Sequence, residues 1–85
     1  MTNNLVSRVA WLLEDTCSQI ETKEVNNACR VYPYCGHYVI IVYGVTMSGQ
    51  WFTRTWFDDS DVQPICVYPS GHDVKQYVKH MLDID

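Results

Sequence analysis

The segment HYVIIVYGVT, residues 37–46, runs between two glycine-containing turns, Cys35-Gly36 and Ser48-Gly49. Its β-branched and aromatic residues suit an extended strand, and it is apolar on both alternating faces. A strand of this kind sits at the centre of a sheet, with a partner at each edge. The flanking segments CRVYPY (29–34) and WFTRTWF (51–57) have the same β-rich character. Glycine tolerates a positive φ, so each turn folds one neighbour back beside the central strand. The result is an antiparallel meander. Pro33 places the first strand at an edge, where its missing N–H costs nothing.

A two-residue turn at Ser48-Gly49 pairs Val45 with Phe52, Tyr43 with Arg54 and Ile41 with Trp56. One face then carries Val39, Ile41, Tyr43, Val45, Phe52 and Trp56. The other carries Tyr38, Ile40, Val42, Trp51, Thr53, Thr55 and Phe57. Two helices are expected on one face, leaving the threonine-bearing face freer. A slip of one residue would exchange these assignments.

The helices lie at the two ends of the chain. Asn3 or Asn4 caps a first helix over 4–21. Leu5, Val9, Leu12, Leu13, Thr16, Cys17 and Ile20 recur at the spacing of one buried stripe, widened by Val6. Trp11 falls outside that stripe, among Ser7, Arg8, Asp15 and Ser18. An indole there either folds over its neighbours or meets a partner. Ile65 to Tyr68 offers a short fourth strand. Ser70 and Asp73 form a capping box that opens a last helix, with Val74, Tyr77, Val78 and Met81 buried. The expected architecture is α+β, in the order α-β-β-β-(β)-α, as one domain over 1–85.

Ten acids against six bases give a net charge of −4. Phosphate backbones require clustered Lys and Arg, so nucleic acid is not the expected direct partner. No apolar run reaches the length of a membrane span, and no secretory leader is legible in MTNNLVSRVAWLLEDTC. The four cysteines are therefore expected as reduced thiols in a cytoplasm.

Cys29, Cys35, His37 and Cys66, with His72, are the candidate metal ligands. Cys29-x₅-Cys35 lacks the short knuckle spacing of structural zinc sites, and a ladder rising about 3.3 Å per residue separates the two thiols. A thiol nucleophile would need Cys35 or Cys66 beside His37, His72 or His80 and an oxyanion pocket. No phosphate loop, G-x-S-x-G or H-E-x-x-H motif occurs. Neither metal, cofactor nor catalysis is expected. Asp58, Asp59 and Asp61 follow an aromatic strand end without an EF-hand pattern. They read as a solvated turn or as an acidic interaction loop.

Eleven aromatic residues are many for so short a chain: three Trp, six Tyr and two Phe. Trp and Tyr are favoured where proteins meet. The candidate interface for another protein is Trp11, Trp51, Trp56, Asp58, Asp59 and Asp61; a homodimer would instead pair through an apolar open sheet face or the free edge strand.

SGQWFTRTWFDDSDV (48–62), followed by VKQYVKHML (74–82), resembles the small inhibitors of host dGTP triphosphohydrolase made by short-tailed coliphages. The shared features are length, a Ser-Gly turn, an aromatic strand end, an acidic patch and a closing amphipathic helix. The segment PICVYPSG has no counterpart there. The resemblance implies a phage protein of host takeover that binds and blocks a host enzyme in the host cytoplasm. Anti-CRISPR proteins share the size and the lack of catalytic motifs.

Overall fold

The computed structural model describes residues 2–20, 28–34 and 36–82. Helix α1 (Thr2–Ile20) precedes strands β1 (Ala28–Tyr34), β2 (His37–Val45), β3 (Trp51–Phe57) and β4 (Cys66–Tyr68), and helix α2 (Gly71–Leu82) follows. The strands form one antiparallel sheet in the order β1-β2-β3-β4. This is the expected α+β meander, with the fourth strand present.

The helices lie on opposite faces of the sheet, which corrects the expectation that they share one. Leu12 of α1, fully buried, meets Ile40, Val42 and Phe52, with Leu5, Val9, Leu13 and Ile20 around them. On the other face Met81, Tyr77 and Val78 of α2 meet Val39 and Ile41. Alternation explains this division: residues 39 and 41 point one way, 40 and 42 the other. β2 is apolar on both faces because both are covered.

The register between β2 and β3 differs by one residue from the sequence reading. Val45 pairs with Trp51, Tyr43 with Thr53 and Ile41 with Thr55. The cause is the loop. The Gly49 N–H donates to the Thr46 carbonyl at 3.0 Å, and the Thr46 N–H donates to the Gln50 carbonyl at 2.9 Å. Three residues, Met47 to Gly49, make the connection, and Gly49 takes φ +89° at its end. That is the three-residue hairpin with a left-handed last position. The slip puts Phe52, Arg54 and Trp56 on the α1 face and Trp51, Thr53, Thr55 and Phe57 on the α2 face.

The threonine-bearing face is consequently the α2 face, and it is covered. Thr53 and Thr55 are buried. Their hydroxyls are satisfied by the phenols of Tyr68 (3.0 Å) and Tyr77 (2.7 Å). Burial of a hydroxyl without such a partner would be costly. The capping box forms as expected: Ser70 Oγ accepts from the Asp73 N–H at 3.5 Å and donates to its carboxylate at 3.2 Å. Tyr34 pairs with His37, and Gly36 before His37 takes φ +82°.

Candidate functional site

Arg8 and Trp11 are three residues apart on α1, so they share one side of the helix. Arg54 and Trp56 are two apart on β3, so they share the face beneath it. Packing α1 on that face brings the four together. The Trp11 and Trp56 rings meet edge to face, with centroids 5.3 Å apart and planes at 61°. The Arg8 guanidinium lies over Trp56 at 4.4 Å, and that of Arg54 lies 5.7 Å from the Trp11 centroid. Each indole thus has a cation near its electron-rich face.

Carboxylates hold the cations in place. Arg54 is only 6% exposed. Its Nη1 donates to Asp15 at 2.7 Å and to the buried Thr16 hydroxyl at 3.1 Å, and its Nε donates to the Gln63 carbonyl at 3.3 Å. One side chain therefore ties β3 to α1 and to the segment after β3. Arg8 Nη1 is buried and sits 3.6 Å from Asp58. Asp58 also meets His37 Nδ1 at 3.2 Å, and its N–H donates to the Tyr38 carbonyl at 3.0 Å. Burial, reinforced by the hydrogen bond and charge of Asp58, holds the Tyr38 phenol above its ordinary pKa.

The acidic loop is anchored to the same cluster. Trp56 Nε1 donates to the Ser60 carbonyl at 3.0 Å, so the loop wraps over the indole edge. Asp59 and Asp61, on either side of Ser60, are exposed. Trp11 remains 45% exposed. It rests against Trp56 while much of its surface stays open.

Of the six residues singled out in the sequence, Trp11, Trp56 and Asp58 converge, and Asp59 and Asp61 flank them. Trp51 lies on the opposite face, against the start of α2. The sequence reading missed Arg8, Arg54, His37 and Tyr38 as members of the cluster. Arg54 was lost with the register, since the correct alternation places it beside Trp56. Arg8 had a visible signal in its three-residue spacing from Trp11.

The candidate metal ligands are separated by the sheet. Cys29 pairs with Val42 on the α1 face and is half-buried among hydrophobic side chains, and burial raises its thiol pKa. Cys66 pairs with Thr53 on the α2 face, at the other edge strand. These two thiols cannot meet at one ion. His37 is engaged with Asp58, and Cys35 lies outside the described residues. Among the described residues, no three His, Cys, Asp or Glu side chains are grouped to hold a metal, and no helix is long and apolar enough to cross a membrane.

The chain matches no protein-family model, no curated protein and no solved structure at a significant level.

Proposed function

We propose that this chain is a non-catalytic protein-binding module of the phage-inhibitor type, and that its α1 side occludes a basic site on a partner enzyme. The observation that carries the reading is the half-exposed Trp11 ring, braced by Trp56 and Arg54, with exposed Asp59 and Asp61 on the loop that Trp56 holds through Ser60. A braced indole gives contact area at little cost in side-chain entropy, and rings of this kind dominate binding energy at interfaces. Exposed carboxylates on the loop held by Trp56 favour a lysine- or arginine-lined partner and speed its capture. Arg8 and Arg54 do not cancel this preference, because both are already paired with carboxylates. Host dGTP triphosphohydrolase is the target that the sequence resemblance implies, and a CRISPR effector is the alternative. Either would be met in the host cytoplasm.

The test is dGTP hydrolysis by the purified host enzyme with increasing amounts of this chain. Loss of hydrolysis near stoichiometric addition supports the target, with activity restored when Trp11→Ala is used instead. Unchanged hydrolysis removes that enzyme, and the same titration then applies to cleavage by a CRISPR effector.

A second reading is self-association as a homodimer. Val31 on edge strand β1 and Val67 on edge strand β4 are exposed, at 41% and 63%. Exposed apolar edge strands pair readily with further strands. Sedimentation equilibrium separates the readings: a monomer at micromolar concentration removes the homodimer.

A further inference from the structure

On the α2 face an open cavity of about 360 Å³ is lined by Tyr43, Trp51, Gly71, His72, Val74 and Lys75. It lies away from the Trp11–Trp56 cluster, on the other side of the sheet. Tyr43 and Trp51 are diagonal neighbours on adjacent strands, because Tyr43 pairs with Thr53 and Val45 with Trp51. Their rings form an aromatic wall. Gly71 sets the position of the indole: a Cβ there would stand 2.9 Å from the Trp51 ring. The absent side chain lets α2 start directly against the ring.

The cavity carries a lysine and a histidine among its lining groups. Lys75 and His72 line it, and both are exposed. Arg30 donates to the Tyr43 hydroxyl at 3.1 Å, placing a second positive charge, beside that of Lys75, near the wall. The carboxylate on α2 among the described residues is Asp73, which is occupied by Ser70 in the helix cap. This is a local positive site on a chain of net charge −4. An aromatic wall with cations at its rim is complementary to a flat ring bearing a negative group. The volume falls at the small end of ligand sites, about 300–1,000 Å³.

We propose that this cavity binds a small aromatic anion of the nucleoside monophosphate class, with the base against Trp51 and Tyr43 and the phosphate toward Lys75 and His72. The reading is independent of the protein-binding role of the α1 side. The test is a titration of the ¹⁵N-labelled chain with AMP, with adenosine and inorganic phosphate as the separated halves. The indole resonance of Trp51 is assigned by its loss in Trp51→Phe. AMP is expected to shift that resonance and the amides of 71–75, and to bind more tightly than either half. The double substitution His72→Ala, Lys75→Ala, at two exposed positions, should weaken AMP binding about tenfold, the scale of lost charge-assisted hydrogen bonds. Four outcomes overturn the proposal: no shift at millimolar AMP, equal affinity for adenosine and AMP, phosphate alone binding as well as AMP, or AMP affinity unchanged in the double variant. Shifts that depend on protein concentration without ligand overturn it as well, since a second copy would then fill the cavity.

Discussion

Arg54 on β3 and Asp15 on α1 are joined at 2.7 Å across 39 positions of sequence, with the arginine almost wholly buried. The pair sets α1 down on the sheet with Arg8 and Trp11 over Trp56. Its removal by halves should be unequal. Asp15→Ala leaves a buried guanidinium without its counter-charge. A fully buried pair broken this way costs about 3–5 kcal/mol; with Asp15 31% exposed, we expect about 2–3. The double variant Asp15→Ala, Arg54→Met removes the stranded charge and should recover part of the loss. Urea denaturation of both variants checks the order.

Trp11 and Trp56 should differ in what they hold together. Trp56 carries the Arg8 contact, the Ser60 bond and the edge contact with Trp11, and it packs on the α1-side core. Trp56→Ala should cost about 3 kcal/mol, as for other large aromatic deletions. Trp11→Ala loses the aromatic edge contact and an exposed surface, so about 1 kcal/mol is expected. Chemical denaturation midpoints give the comparison. Near-equal costs would mean that Trp11 has a larger structural role than its exposure indicates.

Gly49 offers a test of the hairpin register. Nothing lies within 4 Å of a Cβ built there, so any cost of a side chain is backbone strain at φ +89°. Gly49→Ala should lose about 1 kcal/mol, and Gly49→Asn less, since asparagine tolerates the left-handed region better. Thermal unfolding of the two variants shows whether the third loop position carries the positive φ.

Alkaline stability depends on the phenols. Burial raises the pKa of Tyr77 and of Tyr32, as it does for Tyr38, above the ordinary value of 10.0. A phenol that ionises less readily when folded contributes its full stability below pH 10.0, the unfolded value. That contribution is lost as the pH rises through the folded value, because the unfolded chain sheds its protons first. Unfolding free energy should therefore hold steady toward pH 10 and fall beyond it. Tyr77→Phe should flatten the fall. At neutral pH it should cost about 1 kcal/mol, because the buried Thr55 hydroxyl loses its partner.

The order of elements was legible because each carries a local signal. Examples are the Leu5 to Ile20 stripe, the Ser70–Asp73 box and the glycines at 36 and 49. The register was not, because a Ser-Gly turn serves a two-residue and a three-residue hairpin equally well. The β3 sequence has aromatic and threonine residues in both phases, so neither register stood out. The placement of the helices was half-visible. A central strand apolar on both faces implied cover on both, and the sequence reading noted the pattern without drawing that consequence. The Arg54–Asp15 contact had no local signature, since it exists only once α1 is docked. Trp51 was grouped with the other tryptophans by residue type, whereas the pleat sends it to the face opposite Trp56.

The central claim is that the α1 side, with Trp11 at its middle, is the surface a partner covers. Hydrogen exchange of this chain, free and with saturating dGTP triphosphohydrolase, tests it most directly. Slowed exchange confined to residues 7–15 and 56–61 is the predicted footprint. Slowed exchange over 71–82, with 7–15 unaltered in a complex that demonstrably forms, would contradict the account.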